Sequence, residues 1–318
     1  MSFCSKCGYK NTSNADFCGE CGSPLIKEEY FKLNSLNSFD ELLTDDNLKD
    51  IEAKMEESAY SSIISNISLR GAYNLRDMLD IDDIDWDGLK VLDKVKLIVE
   101  SYVNVNYKTR GADLGNYFSN VINIDDRLDD SQQISTLIHE LSHHLFSEIF
   151  EEVLMYRLSV KRTLPLEAFV EFSMQVNIFN VVMDEYCAHT VEGRFIPHGY
   201  QNYGSFNNLV NQFPHEEDIV NSVKFYMRMG NSFADDIIGI LETFIDEDIR
   251  KDIKAQFKED YNYPPSYDQI VLEINDVMPD EAKIEFMSVV LGEGFNRAQK
   301  SESEKMLNDL LEVYKKRN

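Results

Sequence analysis

Only five of the 318 residues are cysteine, and four of those fall within the first 21 positions. The body of the chain therefore has no disulfide framework, and its one cysteine, Cys187, is expected as a small core residue. No apolar run approaches the roughly 20 residues that cross a bilayer, so no membrane span is expected. The first residues, Met1-Ser2-Phe3-Cys4, lack the basic stretch and apolar core of a secretory signal. The expectation is a cytoplasmic protein. Basic residues are scarce too: 31 Lys and Arg stand against 57 Asp and Glu, a net charge of −26. Residues 1–27 carry three basic and two acidic side chains, so the remainder holds −27. Such a surface repels phosphate backbones and anionic lipid, which makes nucleic acid an unlikely partner and excludes a membrane surface. The chain is 43% hydrophobic, enough for a substantial core in one or two domains plus a small module.

The clustered cysteines form two Cys-x-x-Cys pairs, Cys4/Cys7 and Cys18/Cys21, ten residues apart and each followed by Gly. Four thiolates suit a tetrahedral structural Zn²⁺, and a segment this short needs the metal to fold. Phe3, Cys4, Cys7, Gly8, Phe17, Cys18, Cys21, Gly22 and Leu25 together resemble the short zinc-ribbon. The resemblance implies a closed structural site, and the ribbon is a natural point of contact for a protein partner. The expected domains are a ribbon over 1–26, a linker over 27–37 and a mainly helical unit over 38–318. Within the last, a catalytic core spans about 89–200 and a helical part about 201–318.

The chain is organised around Ile134–Leu145, which contains His139-Glu140-x-x-His143. Chance produces this pattern in roughly one chain in a hundred of this length. Positions i and i+4 share a helical face, so both imidazoles can reach one metal ion, with Glu140 beside them to take a proton from an activated water. Ile134, Leu137, Ile138, Leu141 and Leu145 keep helical spacing, and Asp130 with Gln133 reads as the cap pair. His144 is expected to pack outside the site.

Around this helix the reading is mixed α and β. Residues 38–55 and 89–101 have helical spacing. Tyr102–Tyr107 and Tyr117–Ile124 alternate as strands, with Gly111 and Gly115 between them as in a hairpin loop. Asp80–Gly88 is an acidic turn anchored by Trp86. It lacks the Gly and closing Glu of a calcium loop. A helix starting near Pro165, with Thr163 as cap, runs to Glu192 and ends at Gly193. Residues 216–318 read as amphipathic helices with breaks near 230–232, 260–266 and 277–280, the last helix covering about 302–316.

A catalytic zinc usually takes three protein ligands. Metzincins would require Gly at 146 and His at 149, where Phe146 and Ile149 stand. Glu185, on an apolar helix with Ala188 three residues on, is the choice for third ligand, and Asp184 and His189 beside it are candidates for orienting groups. At this point the His139-Glu140-x-x-His143 helix followed by Glu185-x-x-Ala188 resembles the gluzincin zinc metallopeptidases, and more weakly the ImmA/IrrE-type peptidases, with Pro197 nearby. That resemblance implies a zincin-like α+β domain in which His139, His143 and Glu185 bind zinc and Glu140 activates water. It also implies that a strand within 117–124 holds a peptide substrate by strand addition. His198, ahead of Tyr200 and Tyr203, is the expected oxyanion donor. The favoured reading is a zinc metallopeptidase with one catalytic and one structural Zn²⁺, acting on a protein or peptide. A non-catalytic regulatory module with a peptidase-like fold is the alternative, and a nucleic-acid-binding regulator the third.

Overall fold

The computed structural model describes residues 2–3, 10–11, 34–108, 114–197, 200, 203–257 and 276–317. These residues are mainly helical, with a three-stranded sheet set beside the longest helix. Two short strands, β1 (Ser2–Phe3) and β2 (Lys10–Asn11), pair antiparallel in the ribbon segment.

The helical part opens with α1 (Phe39–Leu42), α2 (Asp45–Glu52) and α3 (Glu57–Ile81). Ser38 and Thr44 cap the first two through side-chain oxygens that accept from Glu41 and Asn47 backbone N–H groups. The long helix α3 falls in a stretch to which the sequence reading assigned no element of its own within the mainly helical unit. Its serine-rich outer face dilutes the apolar stripe of Tyr60, Ile63, Ile67 and Leu75. A 3-10 turn at Trp86–Gly88 leads into α4 (Val91–Glu100).

The sheet consists of β3 (Asn104–Tyr107), β4 (Gly115–Phe118) and β5 (Val121–Ile124), in the order β3-β5-β4. This corrects the expected hairpin between 102–107 and 117–124. The second run is itself the hairpin: Ser119 and Asn120, at φ 48° and 58°, make a two-residue turn between β4 and β5. The first run pairs parallel with β5 instead. Gly115 lies in β4 rather than in a loop, and a Cβ there would stand 2.5 Å from Thr136 Cγ2, so glycine lets β4 sit against the next helix.

That helix is α5 (Asp130–Leu158), 29 residues and about 44 Å long. Its cap lies one residue earlier than expected. Asp129, not Asp130, accepts from Gln132 N–H, and Gln132 answers to the Asp129 backbone, because both registers contain Asp-x-x-Gln. Most of α5 is buried, including Leu137, Leu141 and Leu145. Phe146 and Phe150 meet Phe233 at ring-centroid distances of 5.2 and 5.7 Å and fix the centre of the core.

The expected single helix over 165–192 is two, α6 (Leu164–Gln175) and α7 (Ile178–Phe195). Asn177 breaks the pattern by accepting from Phe179 N–H at 3.1 Å, a cap that restarts the helix. Gly193 stays helical, and α7 ends where Ile196 turns extended before Pro197. Next come α8 (Gly204–Val210), α9 (Glu217–Leu241) and α10 (Glu247–Ala255). The break expected at 230–232 is absent. Gly230 marks a close helix crossing, where a Cβ would lie 2.5 Å from Met183 O of α7. The break expected at 260–266 lies outside the described residues. Finally, α11 (Asp280–Ala298) and α12 (Glu304–Arg317) pack on α6.

Candidate metal centre

Along one face of α5, His139, Glu140 and His143 line a cleft of about 540 Å³. The edge strand β4 forms one side and α6 and α7 the other, with Tyr200 and Phe257 also in its wall. Nε2 of His139 and Nε2 of His143 are 3.3 Å apart. Two imidazole donors on one tetrahedral zinc stand about 3.3 Å apart for Zn–N bonds of roughly 2.0–2.1 Å. Glu185 Oε2, from α7, is 3.9 Å from His139 Nε2. One donor atom from each of His139, Glu185 and His189 lies within 4.8 Å of the others.

The outer nitrogens of all three rings are held by carboxylates. Asp184 Oδ1 accepts from His143 Nδ1 at 2.8 Å. Glu192 Oε2 faces both His189 Nδ1 at 3.3 Å and His139 Nδ1 at 3.4 Å. Ser135 Oγ donates to the other oxygen of Glu192. Carboxylates on the outer nitrogens leave the inner ones for a metal, and this is how ligand histidines are usually oriented. His139, Glu185 and His189 thus form a group that could hold a metal ion, while His143 stands 3.3 Å from His139 Nε2 and outside that group. Asp184 stands where an orienting group was expected. His189, assigned the same role from the sequence, stands among the donors, and Glu192 does the orienting.

Electrostatics follow from burial and these pairs. Burial opposes charge on Glu192, but hydrogen bonds from His139 and His189 outweigh it and hold the carboxyl down to about 2. Burial also works against charge on Glu185, where His143, His139 and His189 prevail and lower its pKa. For His143, burial disfavours the proton, yet Asp184, Glu185 and Glu140 overcome it and lift the ring to about 10. Glu140 moves the other way: burial raises its pKa, and the positive potential of His139 and His143 offsets only part of the rise. A buried carboxylate with raised proton affinity beside a metal position has the property a general base needs.

Residues 3–25 match a family model described as zinc-ribbon domain. No curated protein and no solved structure matches the chain. A zinc-ribbon is thus present at the N-terminus. Its cysteines, Cys4, Cys7, Cys18 and Cys21, lie outside the described residues, as does His198. Tyr200 lines the cleft with a buried hydroxyl that has no hydrogen-bond partner among the described residues. Tyr203 lies over the His189 ring at 4.4 Å between centroids. His144 points away from the centre, toward Tyr117 and Glu148, and burial lowers its pKa to about 4. Among the described residues no helix is long and apolar enough to cross a membrane.

Sequence reasoning missed Glu192. The signal was available: His189 and Glu192 are three apart and so share a helix face. Its carboxylate was read only as the last residue of the expected helix. A buried network behind the motif was missed as well. Arg70 and Arg162 bridge Glu148 and Glu152, with Glu151 beside Arg162.

Proposed function

We propose that the protein is a zinc-dependent metallopeptidase of gluzincin type with a zincin-like domain, hydrolysing peptide bonds in a protein or peptide. The observation that carries this reading is the meeting of His139, Glu140 and His143 on α5 with Glu185 on α7, in a cleft edged by a strand. His139, His143 and Glu185 would hold the ion, which supplies Lewis acidity toward water and a carbonyl oxygen. Glu140 takes the proton from the attacking water and then delivers it to the leaving amine nitrogen. The Tyr200 hydroxyl, buried and without a partner among the described residues, is the candidate donor to a developing oxyanion in this reading, in place of His198. Among the described residues β4 pairs only with β5, so its outer edge can hold an extended peptide by strand addition. This moves that role from the 117–124 run as a whole to Gly115–Phe118. The ribbon is read as a docking module for a protein partner.

The test is cleavage of a diverse peptide library followed by mass spectrometry, with bound zinc counted. The expected outcome is cleavage with about two zinc ions per chain. A preparation that holds only the ribbon zinc overturns the reading. Supporting carboxylates matter in proportion: Glu192→Gln should weaken zinc affinity at the cleft about 10- to 100-fold, measured by competition with a chelator. Unchanged affinity would show that the outer nitrogens need no anchor.

A second reading rests on His189. Were it to join His139, His143 and Glu185 on the metal, the site would have four protein donors and be closed, as structural sites are. The protein would then bind a partner without turnover. Two zinc ions with no cleavage of any peptide favours this reading.

A further inference from the structure

A second groove, of about 920 Å³, runs along α11 and is shared with the turn between α2 and α3. It lies far from the metal centre. Arg157, the α5 residue that lines it, is about 27 Å along that helix from His139. Its Nη1 donates to Ala53 O at 2.5 Å and its Nη2 to Ser288 Oγ at 2.8 Å, which ties the α2–α3 turn to α11 and fixes the width of the groove. At helical spacing along the groove stand Glu281, Glu285, Val289, Gly292, Asn296 and, just past the end of α11, Lys300. Val289, near the middle, is 63% exposed. Three residues on, Gly292 leaves a hollow, where an added Cβ would meet only Glu52 Oε1, at 3.9 Å.

Charge divides along the same line. Glu281 and Glu285 stand at one end and Lys300 at the other, all exposed, and among the described residues none of the three makes an ion pair. Arg297, beside Lys300, reaches only Glu293 on its own helix, at 3.3 Å. Acid first and base last is favourable within any one helix. It also makes this face the complement of itself turned end for end.

We propose that this face joins two copies of the chain, with α11 of each lying antiparallel about a twofold axis close to Val289. The apolar side chain of Val289 enters the hollow at the partner's Gly292. Glu281 and Glu285 meet the partner's Lys300 and Arg297. The twofold axis repeats every contact, so a single helix supplies two apolar plugs and two charged ends. An apolar centre inside a charged rim is the common anatomy of an interface. A different protein would match this order of charges only by coincidence, whereas a second copy always brings it. The net charge of −26 on each chain opposes association, and the paired ends both offset that repulsion and set the register. Nothing in this inference depends on the peptidase reading.

The test is the mass of the full chain in solution, by analytical ultracentrifugation at up to about 100 μM. Wild type should sediment as a dimer, at twice 36.8 kDa. One variant reverses the acidic end, Glu281→Lys with Glu285→Lys, and a second reverses the basic end, Arg297→Glu with Lys300→Glu. Each alone sets like charges against each other and should dimerise at least about tenfold more weakly. Mixed in equal amounts, the two should form a heterodimer as tight as wild type, which also shows that both are folded. Val289→Glu should be monomeric, with its circular dichroism unchanged. A monomeric wild type overturns the inference and leaves the face to another protein. A dimer that survives either reversal or Val289→Glu overturns it too, as does a mixture that stays monomeric. No outcome bears on cleavage, so the peptidase reading stands or falls separately.

Discussion

Glu140→Gln keeps its zinc and loses turnover by about 10²- to 10⁴-fold in kcat. The side chain is buried beside His139 and His143, and the substitution preserves its shape while removing its ability to accept a proton. The metal donors in this reading are His139, His143 and Glu185, so a full complement of zinc should remain. Both quantities are read on one sample, zinc by atomic absorption and cleavage by mass spectrometry on peptides the wild type cuts. Equal rates for variant and wild type would remove Glu140 from the chemistry. Loss of zinc together with turnover would make it a structural support for the centre.

The largest effect on stability is expected at Arg162. Its guanidinium contacts Glu148 at 3.0 Å, Glu151 at 3.1 Å and Glu152 at 3.2 Å, and the first two carboxylates are nearly inaccessible to solvent. Removing one partner of a buried ion network strands the others, at a cost of about 3–5 kcal/mol. The Arg162 side chain keeps 31% exposure, which places Arg162→Met near the low end, about 3 kcal/mol. Chemical denaturation gives the number, and a loss under about 1 kcal/mol would mean that water already solvates the network.

Glu151 adds a pH dependence. Burial pushes its carboxyl up to about 8, with Arg162 offsetting only part of the rise, because the pair lies close without a hydrogen bond to Oε2. The group binds its proton more tightly folded than unfolded, where its ordinary value is 4.5. Its favourable contribution is therefore complete below about pH 4.5 and is lost as pH rises through about 8. Arg162→Met removes the opposing charge, so the variant should lose more stability at pH 8 than at pH 5.

The parts of this protein legible from sequence are those where one local pattern decides. The ribbon is written in four cysteines and their glycines. The motif helix is written in His139, His143 and an apolar face, and its buried setting agrees with the 0–1% exposure of Ile134, Leu137 and Leu141. Asp184 and Glu185 could be picked out because the apolar residues after them marked a helix that is not solvated all round. What escaped depends on contacts distant in sequence. β3 pairs with β5 across a separation that alternation alone cannot register. The junction at Val176–Asn177 hides inside a continuous apolar period, since only the Asn177 cap distinguishes two helices from one. Gly230 reads as a breaker until the backbone it touches is known. Glu192 finds its partner His139 on another helix 53 residues earlier, and Arg70 lies 78 residues before Glu148 in the chain yet pairs with it.

The crossing at Gly230 has a mechanical consequence. With α9 pressed on the backbone of α7 at Met183, one residue before Asp184 and two before Glu185, α7 cannot roll or slide without carrying α9 along. The wall that bears Glu185 and His189 is thus the anvil of the cleft. Give must come from the opposite side, where β4, among the described residues, pairs with a single strand and ends in a two-residue turn. A peptide entering the cleft would shift the strand it pairs with and leave the metal donors where they stand.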